Sequence, residues 1–254
     1  MITSMRIGID GGYQKRIAQA WAGRISGCML GKPVEMMSMR KGPTNLADYL
    51  DRVKAWPLRE YIPFAPEVDD HVEHPEACRE MMCAAVPDDD INYTVISLLL
   101  LEEYGPHFTT ADVGRAWLRY LPGAMVFTAE REAYAKLLAS AGMRFPSGAE
   151  PTMDLEECSD NPYNDWIGAQ IRIDMYGWTL PGKPEKAAQL ARTDAKLSHR
   201  GCAVECSAFI AALAAAIPST DGRKKAVEEA LKLIDQDSSA FDAVQIGIKN
   251  SNKN

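Results

Sequence analysis

Apolar side chains in this chain recur at three- and four-residue steps in segment after segment, and no stretch alternates with period two for long. Steps of three and four gather side chains on one face of an α-helix, whereas alternation would gather them on one face of a strand. Residues 14–30 show the pattern, with Ile17, Ala20, Trp21, Arg24, Ile25, Cys28 and Met29 on a common face. Gly31-Lys32-Pro33 closes that segment, because glycine caps a helix and proline cannot continue one. Further helices are predicted over residues 91–104, up to residue 121 behind a Thr110 or Asp112 cap, and over 129–141 behind Thr128. Others are predicted over 166–178, 185–197, 201–217, 222–234 behind Asp221, and 240–248. Residues 41–87 carry Pro43, Pro57, Pro63, Pro66, Pro75 and Pro87, and read as a long irregular excursion with one short helix over 46–53. Residues 143–163 read as a polar loop. With no Gly/Ser linker and no fixed-period repeat, the expectation is an all-α fold in one domain, residues 1–254.

A chain of 254 residues buries a core without disulfide or metal staples, and 46% hydrophobic with 25% charged residues is globular composition. The formal charge of −7 argues against a broad nucleic-acid-binding surface, though not against a small phosphate-bearing ligand held through a metal. The longest apolar runs, residues 95–101 and 208–217, fall well short of the roughly 20 residues of a bilayer span, so no membrane partner is expected. Six cysteines without a Cys-x-x-Cys pair, and a first ten residues without a secretory pattern, lead to the expectation of a reduced, cytoplasmic protein.

Asp88-Asp89-Asp90 is the most informative stretch. Three adjacent carboxylates repel one another, and either exposure to water at a helix start or a bound divalent cation offsets that. Asn92-Tyr93-Thr94, polar groups inside an otherwise apolar helix, lean toward a site. Glu35 follows the rigid Gly31-Lys32-Pro33 exit turn, where a fixed carboxylate suits either a plain helix stop or a general base. Asp69-Asp70-His71-Val72-Glu73-His74 reads as a solvated loop. His199, Cys202 and Cys206 lack the fourth partner that tetrahedral zinc requires, so the two cysteines read as buried thiols.

Four segments in order resemble the ADP-ribosylglycohydrolase family: residues 22–35 with their Gly-x-Pro-x-Glu turn, Asp88–Thr94 beside a Thr-Asp-Asp-Thr metal motif, Trp166–Arg172 beside Gly-Asn-Gly-x-x-Met-Arg, and the stretch ending Leu197-Ser198-His199 before an Ala-rich helix. The resemblance implies an orthogonal helical bundle with a paired Mg²⁺ or Mn²⁺ site. It also implies hydrolysis of the glycosidic bond that joins ADP-ribose to a protein side chain or a small molecule. By motif match, Asp88, Asp89 and Asp90 are implied metal ligands, and Glu35 and Asp89 the implied catalytic groups. Asn92, Gly168, Arg172 and His199 are implied substrate contacts, with the Gly168 segment toward the diphosphate and His199 toward the ribose. Asp88, Ile91 and Trp166-Ile167 depart from the pattern. The family's C-terminal Asp-x-Asp-Thr/Ser cluster has no counterpart: Asp235-Gln236-Asp237-Ser238 comes too soon after the Ala-rich helix and reads as a turn. The expectation is therefore a C-terminally incomplete domain, with a catalytically inactive or truncated ligand-binding protein on the same scaffold as the alternative to a hydrolase.

Overall fold

The computed structural model describes residues 11–68, 72–141 and 154–251. Among these residues every regular element is helical and no strand occurs, so the chain is all-α. It divides into two compact units, Met1–Ile91 and Asn92–Asn254.

In the first unit, α1 (Gly11–Gly31) presents its predicted face inward: Ile17, Ala20, Trp21, Arg24, Ile25 and Cys28 are half-buried and Met29 is buried. One tight turn, Lys32–Val34, leads into α2 (Glu35–Arg52). This corrects the expected irregular excursion, which starts only after residue 52. The prolines misled because Pro43 follows a break at Gly42 (φ 81°, ψ 173°). There it opens the second half of the helix, where its missing N–H is not needed. Val34, Met37, Tyr49, Leu50, Ile62 and Cys78 form the core of this unit. The irregular segment is tied to it by backbone bonds such as Arg79 N to Ile62 O (2.9 Å) and by the Tyr49 hydroxyl donating to Pro63 O (3.3 Å).

The second unit is built around α9 (Gly201–Ala216), which packs most extensively on α8 (Pro184–Ala195), then on α7 (Asp174–Thr179) and α10 (Arg223–Leu231). Helix α9 is buried on nearly all sides, as a helix apolar all round must be. Through Ser219 the helical stretch is 19 residues, long and apolar enough to cross a membrane by length and composition alone. The expectation from residues 208–217 missed this because small residues from Gly201 onward extend the run. The same small side chains let neighbours come close: a Cβ on Gly177 of α7 would lie 2.4 Å from Ala214 Cβ and 2.8 Å from Ala211 O.

The remaining helices are α3 (Asp89–Tyr104), α4 (Thr110–Tyr120), α5 (Thr128–Ala141), α6 (Leu155–Ser159) and α11 (Ser239–Ser251). Thr109, not Thr110, caps α4, in a reciprocal box with Asp112. Asp221 does not cap α10; Gly222 occupies that position and Asp221 pairs with Lys225 (3.3 Å). Helix α6, capped by Asp154, stands in the stretch expected to be a loop, of which residues 142–153 lie outside the described residues. The single helix expected over 166–178 is two pieces, a tight Ile167–Arg172 segment and α7, and at their junction the Arg172 carbonyl accepts from Ser97 Oγ (2.7 Å).

Gly177→Ala should destabilise the protein by about 1–3 kcal/mol in denaturant unfolding, since α7 and α9 must separate to admit a methyl group. Gly247→Ala in α11 meets nothing within 4 Å and should instead stabilise by about 0.5–1 kcal/mol.

Candidate functional site

In the first unit, the end of α1 and the start of α3 bring opposite charges together. Asp88 precedes α3 and is 7% exposed. Its Oδ1 accepts the Asp90 amide (2.9 Å), filling one of the orphan donors of the helix start, and its Oδ2 takes the Lys32 ammonium. Arg24 donates to the Asp90 carbonyl (2.9 Å) and lies 3.5 Å from the Asp90 carboxylate. Ligand atoms of Cys28, Asp88 and Asp90 all lie within 4.8 Å of one another. Among the described residues, this is the one grouping of three such donors.

The electrostatics follow from crowding. Burial, and then the neighbouring Asp88 charge, push the Asp89 carboxyl up to about 7. Burial also pushes Asp88 upward, but the Lys32 hydrogen bond and the Asp90 amide outweigh it and hold Asp88 below the usual carboxylate range. The Cys28 thiol is pushed up to about 12 by burial and by Asp88 and Asp90. Asp88 and Asp90 thus meet two internal cations, Lys32 and Arg24, while the Asp89 carboxyl beside them, raised to about 7, is only partly charged at neutral pH. Hard oxygen donors suit Mg²⁺ or Mn²⁺, and a spread of 4.8 Å can be spanned by one ion. The donor set therefore fits a divalent cation.

Of the three aspartates expected as ligands, Asp88 and Asp90 fall in this grouping and Asp89 stands half-buried beside them. Cys28 joins them; its place on the inward face of α1 was the signal for it. Glu35 is exposed in the first turn of α2. Asp69, Asp70 and His71 lie outside the described residues, and His74 pairs with Glu76 at the surface (3.1 Å).

The second unit holds a different constellation. Arg172 is fully buried. Its Nε donates to Asp194 Oδ1 (2.5 Å), one terminal nitrogen to Glu130 Oε1 (2.6 Å) and Gly168 O (3.3 Å), the other to Ser198 Oγ (3.0 Å) and Asp194 O (3.4 Å). All five guanidinium donors are thereby spent inside the unit, and the expected substrate contact from Arg172 has no donor left to make it. The guanidinium also lies over Trp117 and Tyr93, 5.0 and 5.8 Å from the ring centroids. Tyr93 thus finds its partners in the core, and Asn92 rests its amide on Met125 Sδ (3.6 Å). Gly168 is half-buried, and a Cβ there would sit 2.3 Å from Glu130 Oε1, so the glycine makes room for that carboxylate. Periodicity alone marked neither Glu130 nor Asp194, since both sit inside otherwise ordinary helices.

His199 is 1% exposed, on a loop pinned by Asn161 Nδ2 donating to Ser198 O (2.9 Å). Ser198 Oγ accepts from Arg172, so its proton goes to His199 Nδ1, 2.8 Å away. The ring proton then resides on Nε2, a buried atom without a hydrogen-bond partner. His199 lines a cavity of about 730 Å³ together with Arg200, Gly201, Cys202 and Ser238. Burial, then the Arg172 charge, depress its pKa to about 3, so the ring is neutral. Cys202 and Cys206 are thiols with sulfurs 3.8 Å apart, half-buried rather than buried as expected, and Asp235–Ser238 is the expected turn before α11.

The model of the ADP-ribosylglycohydrolase family matches residues 10–251 of the 254, and the chain belongs to that family. No curated protein and no solved structure gives a match.

Arg172→Met should cost about 3–5 kcal/mol in equilibrium unfolding, because Glu130 and Asp194 would stay buried without their counter-charge. Arg172→Lys should recover little, since three donors on one point cannot replace a five-donor fork. The His199 contribution to stability should be complete above pH 6.5 and decline toward about 3, because the unfolded ring takes a proton that the folded ring refuses. Its slope is at most about 1.4 kcal/mol per pH unit. Burial raises Glu130 and gives the opposite sign, so the quantity to measure is the difference in pH slope between the wild type and His199→Gln.

Proposed function

We infer that this chain carries out glycohydrolase chemistry of the ADP-ribosyl type, which its membership in the family supports in general terms. We propose that this chain hydrolyses an N- or O-glycosidic bond to ADP-ribose, on a protein or a small molecule, with Mg²⁺ or Mn²⁺ held by Asp88 and Asp90. The observation that carries the reading is the convergence of carboxylate ligand atoms at the start of α3. A bound divalent cation there would supply Lewis-acid polarisation of ribose oxygens and a more acidic water.

The residues themselves do the rest. Cleavage at the anomeric carbon develops positive charge on the sugar, and the carboxylates of Asp88–Asp90 stabilise that charge through space. Asp89, half-buried in the first turn of α3, takes the proton of the attacking water. Glu35, rigidly placed after Pro33, orients the sugar hydroxyls.

A non-catalytic ligand-binding protein is the second reading, favoured by Lys32, whose ammonium already neutralises Asp88. Calorimetry with Mg²⁺, Mn²⁺ and ADP-ribose, beside a hydrolysis assay on ADP-ribosylated protein, separates the two. Metal-dependent release of ADP-ribose that falls about 10²–10⁴-fold in Asp89→Asn is the expected result. Hydrolysis that survives both a chelator and Asp89→Asn sinks the hydrolytic mechanism, and ADP-ribose binding with no turnover under any metal establishes the second reading.

A further inference from the structure

We propose that Ser198 is a positioning residue that decides which ring nitrogen of His199 carries the proton, with Glu130 as the rival that would reverse the choice. The inference rests on the reading above, in which the family resemblance counts His199 among the substrate contacts, and adds the residue that sets what kind of contact the ring can make.

A neutral imidazole has one donor nitrogen and one acceptor nitrogen, and the partner of Nδ1 selects between them. Two side chains lie beside His199 Nδ1: Ser198 Oγ at 2.8 Å and Glu130 Oε1 at 3.8 Å. They favour opposite tautomers. A carboxylate only accepts, so Glu130 would draw the proton to Nδ1. A hydroxyl can accept or donate, and its other partner settles which. Ser198 Oγ takes a hydrogen bond from Arg172 (3.0 Å), a group that can only donate, so the serine proton is left for Nδ1. With the ring proton on Nδ1 instead, Ser198 Oγ would receive two N–H groups and its own proton would be stranded on a fully buried side chain. Glu130 does not compete as it stands, because 3.8 Å is beyond hydrogen-bond reach and its Oε1 already accepts from Arg172 (2.6 Å). Burial and the Arg172 charge keep the ring neutral, so the tautomer is the one variable of its protonation near neutral pH.

Removing the serine hydroxyl leaves Glu130 as the acceptor beside Nδ1. The ring proton then leaves Nε2 for solvent and another is taken up at Nδ1, with no change in charge. Nε2, now a buried donor without a partner, becomes an acceptor. One hydroxyl thus sets the polarity that His199 offers to a ligand.

Long-range ¹H–¹⁵N correlation NMR on the full chain reads the tautomer directly. The chain has four histidines, and the His199 signals are those lost in His199→Gln. Near neutral pH the wild type should show a protonated Nε2 and a bare Nδ1. Ser198→Ala should show the reverse, and Ser198→Thr, which keeps the hydroxyl, should restore the wild-type pattern. Ser198→Cys fills the same space with a weak donor, so it should give a mixture of the two tautomers and serves if the alanine variant unfolds. A protonated Nδ1 in the wild type, a pure Nε2–H tautomer in folded Ser198→Ala or Ser198→Cys, or a threonine variant that behaves like alanine overturns the proposal. On an ADP-ribosylated protein, Ser198→Ala should lower kcat/KM roughly tenfold or more, with Ser198→Thr recovering it. An inverted tautomer with kcat/KM unchanged overturns the link to the substrate. The expected tautomers in a chain that hydrolyses nothing remove the hydrolytic reading and leave the role of Ser198 standing.

Discussion

A guanidinium taken wholly out of water is tolerable only if every one of its donors finds an acceptor, and Arg172 meets that condition inside the second unit. Leaving one partner out would strand a charge at a cost of several kcal/mol, so the positions of Glu130, Asp194, Gly168 and Ser198 are fixed together. The tight Ile167–Arg172 turn, the absence of a side chain at Gly168 and the Ser198 hydroxyl shared between Arg172 and His199 all serve one planar cation. Tyr176, donating its hydroxyl to Asp194, extends the same demand into α7.

The first unit solves the converse problem, an excess of negative charge on consecutive residues. There the sequence of α1 supplies the remedy: Arg24, Cys28 and Lys32 recur at four-residue steps and so project from one side of the helix end toward Asp88 and Asp90. The internal cations neutralise Asp88 and Asp90, and burial beside them lifts the Asp89 carboxyl to about 7.

Much of this was legible in the residues. The face of α1 followed from its apolar spacing, and the Ala-rich run over 201–217 marked α9 as a helix. Asp88-Asp89-Asp90 stood out because adjacent like charges need an explanation. Proline counting failed at Pro43, where a glycine with positive φ made proline welcome. Asp221 looked like a cap but gave way to Gly222, whose φ of 106° no L-residue holds comfortably. Glu130 and Asp194 were illegible because their importance lies in meeting Arg172 across 42 and 22 residues of sequence, which no local pattern encodes.

The chain of donors running from Arg172 through the Ser198 hydroxyl to His199 has a direction, and it ends on a buried Nε2 proton without an acceptor among the described residues, on a ring that stays neutral over the physiological range. A buried donor of that kind discriminates by polarity rather than by charge. A hydroxyl, carbonyl or phosphate oxygen completes the chain, while an amine or amide N–H arriving at the same spot faces another proton and leaves both donors unsatisfied. That difference is about 1–3 kcal/mol for a desolvated donor, enough for one imidazole to distinguish an oxygen-bearing face of a ligand from a nitrogen-bearing one.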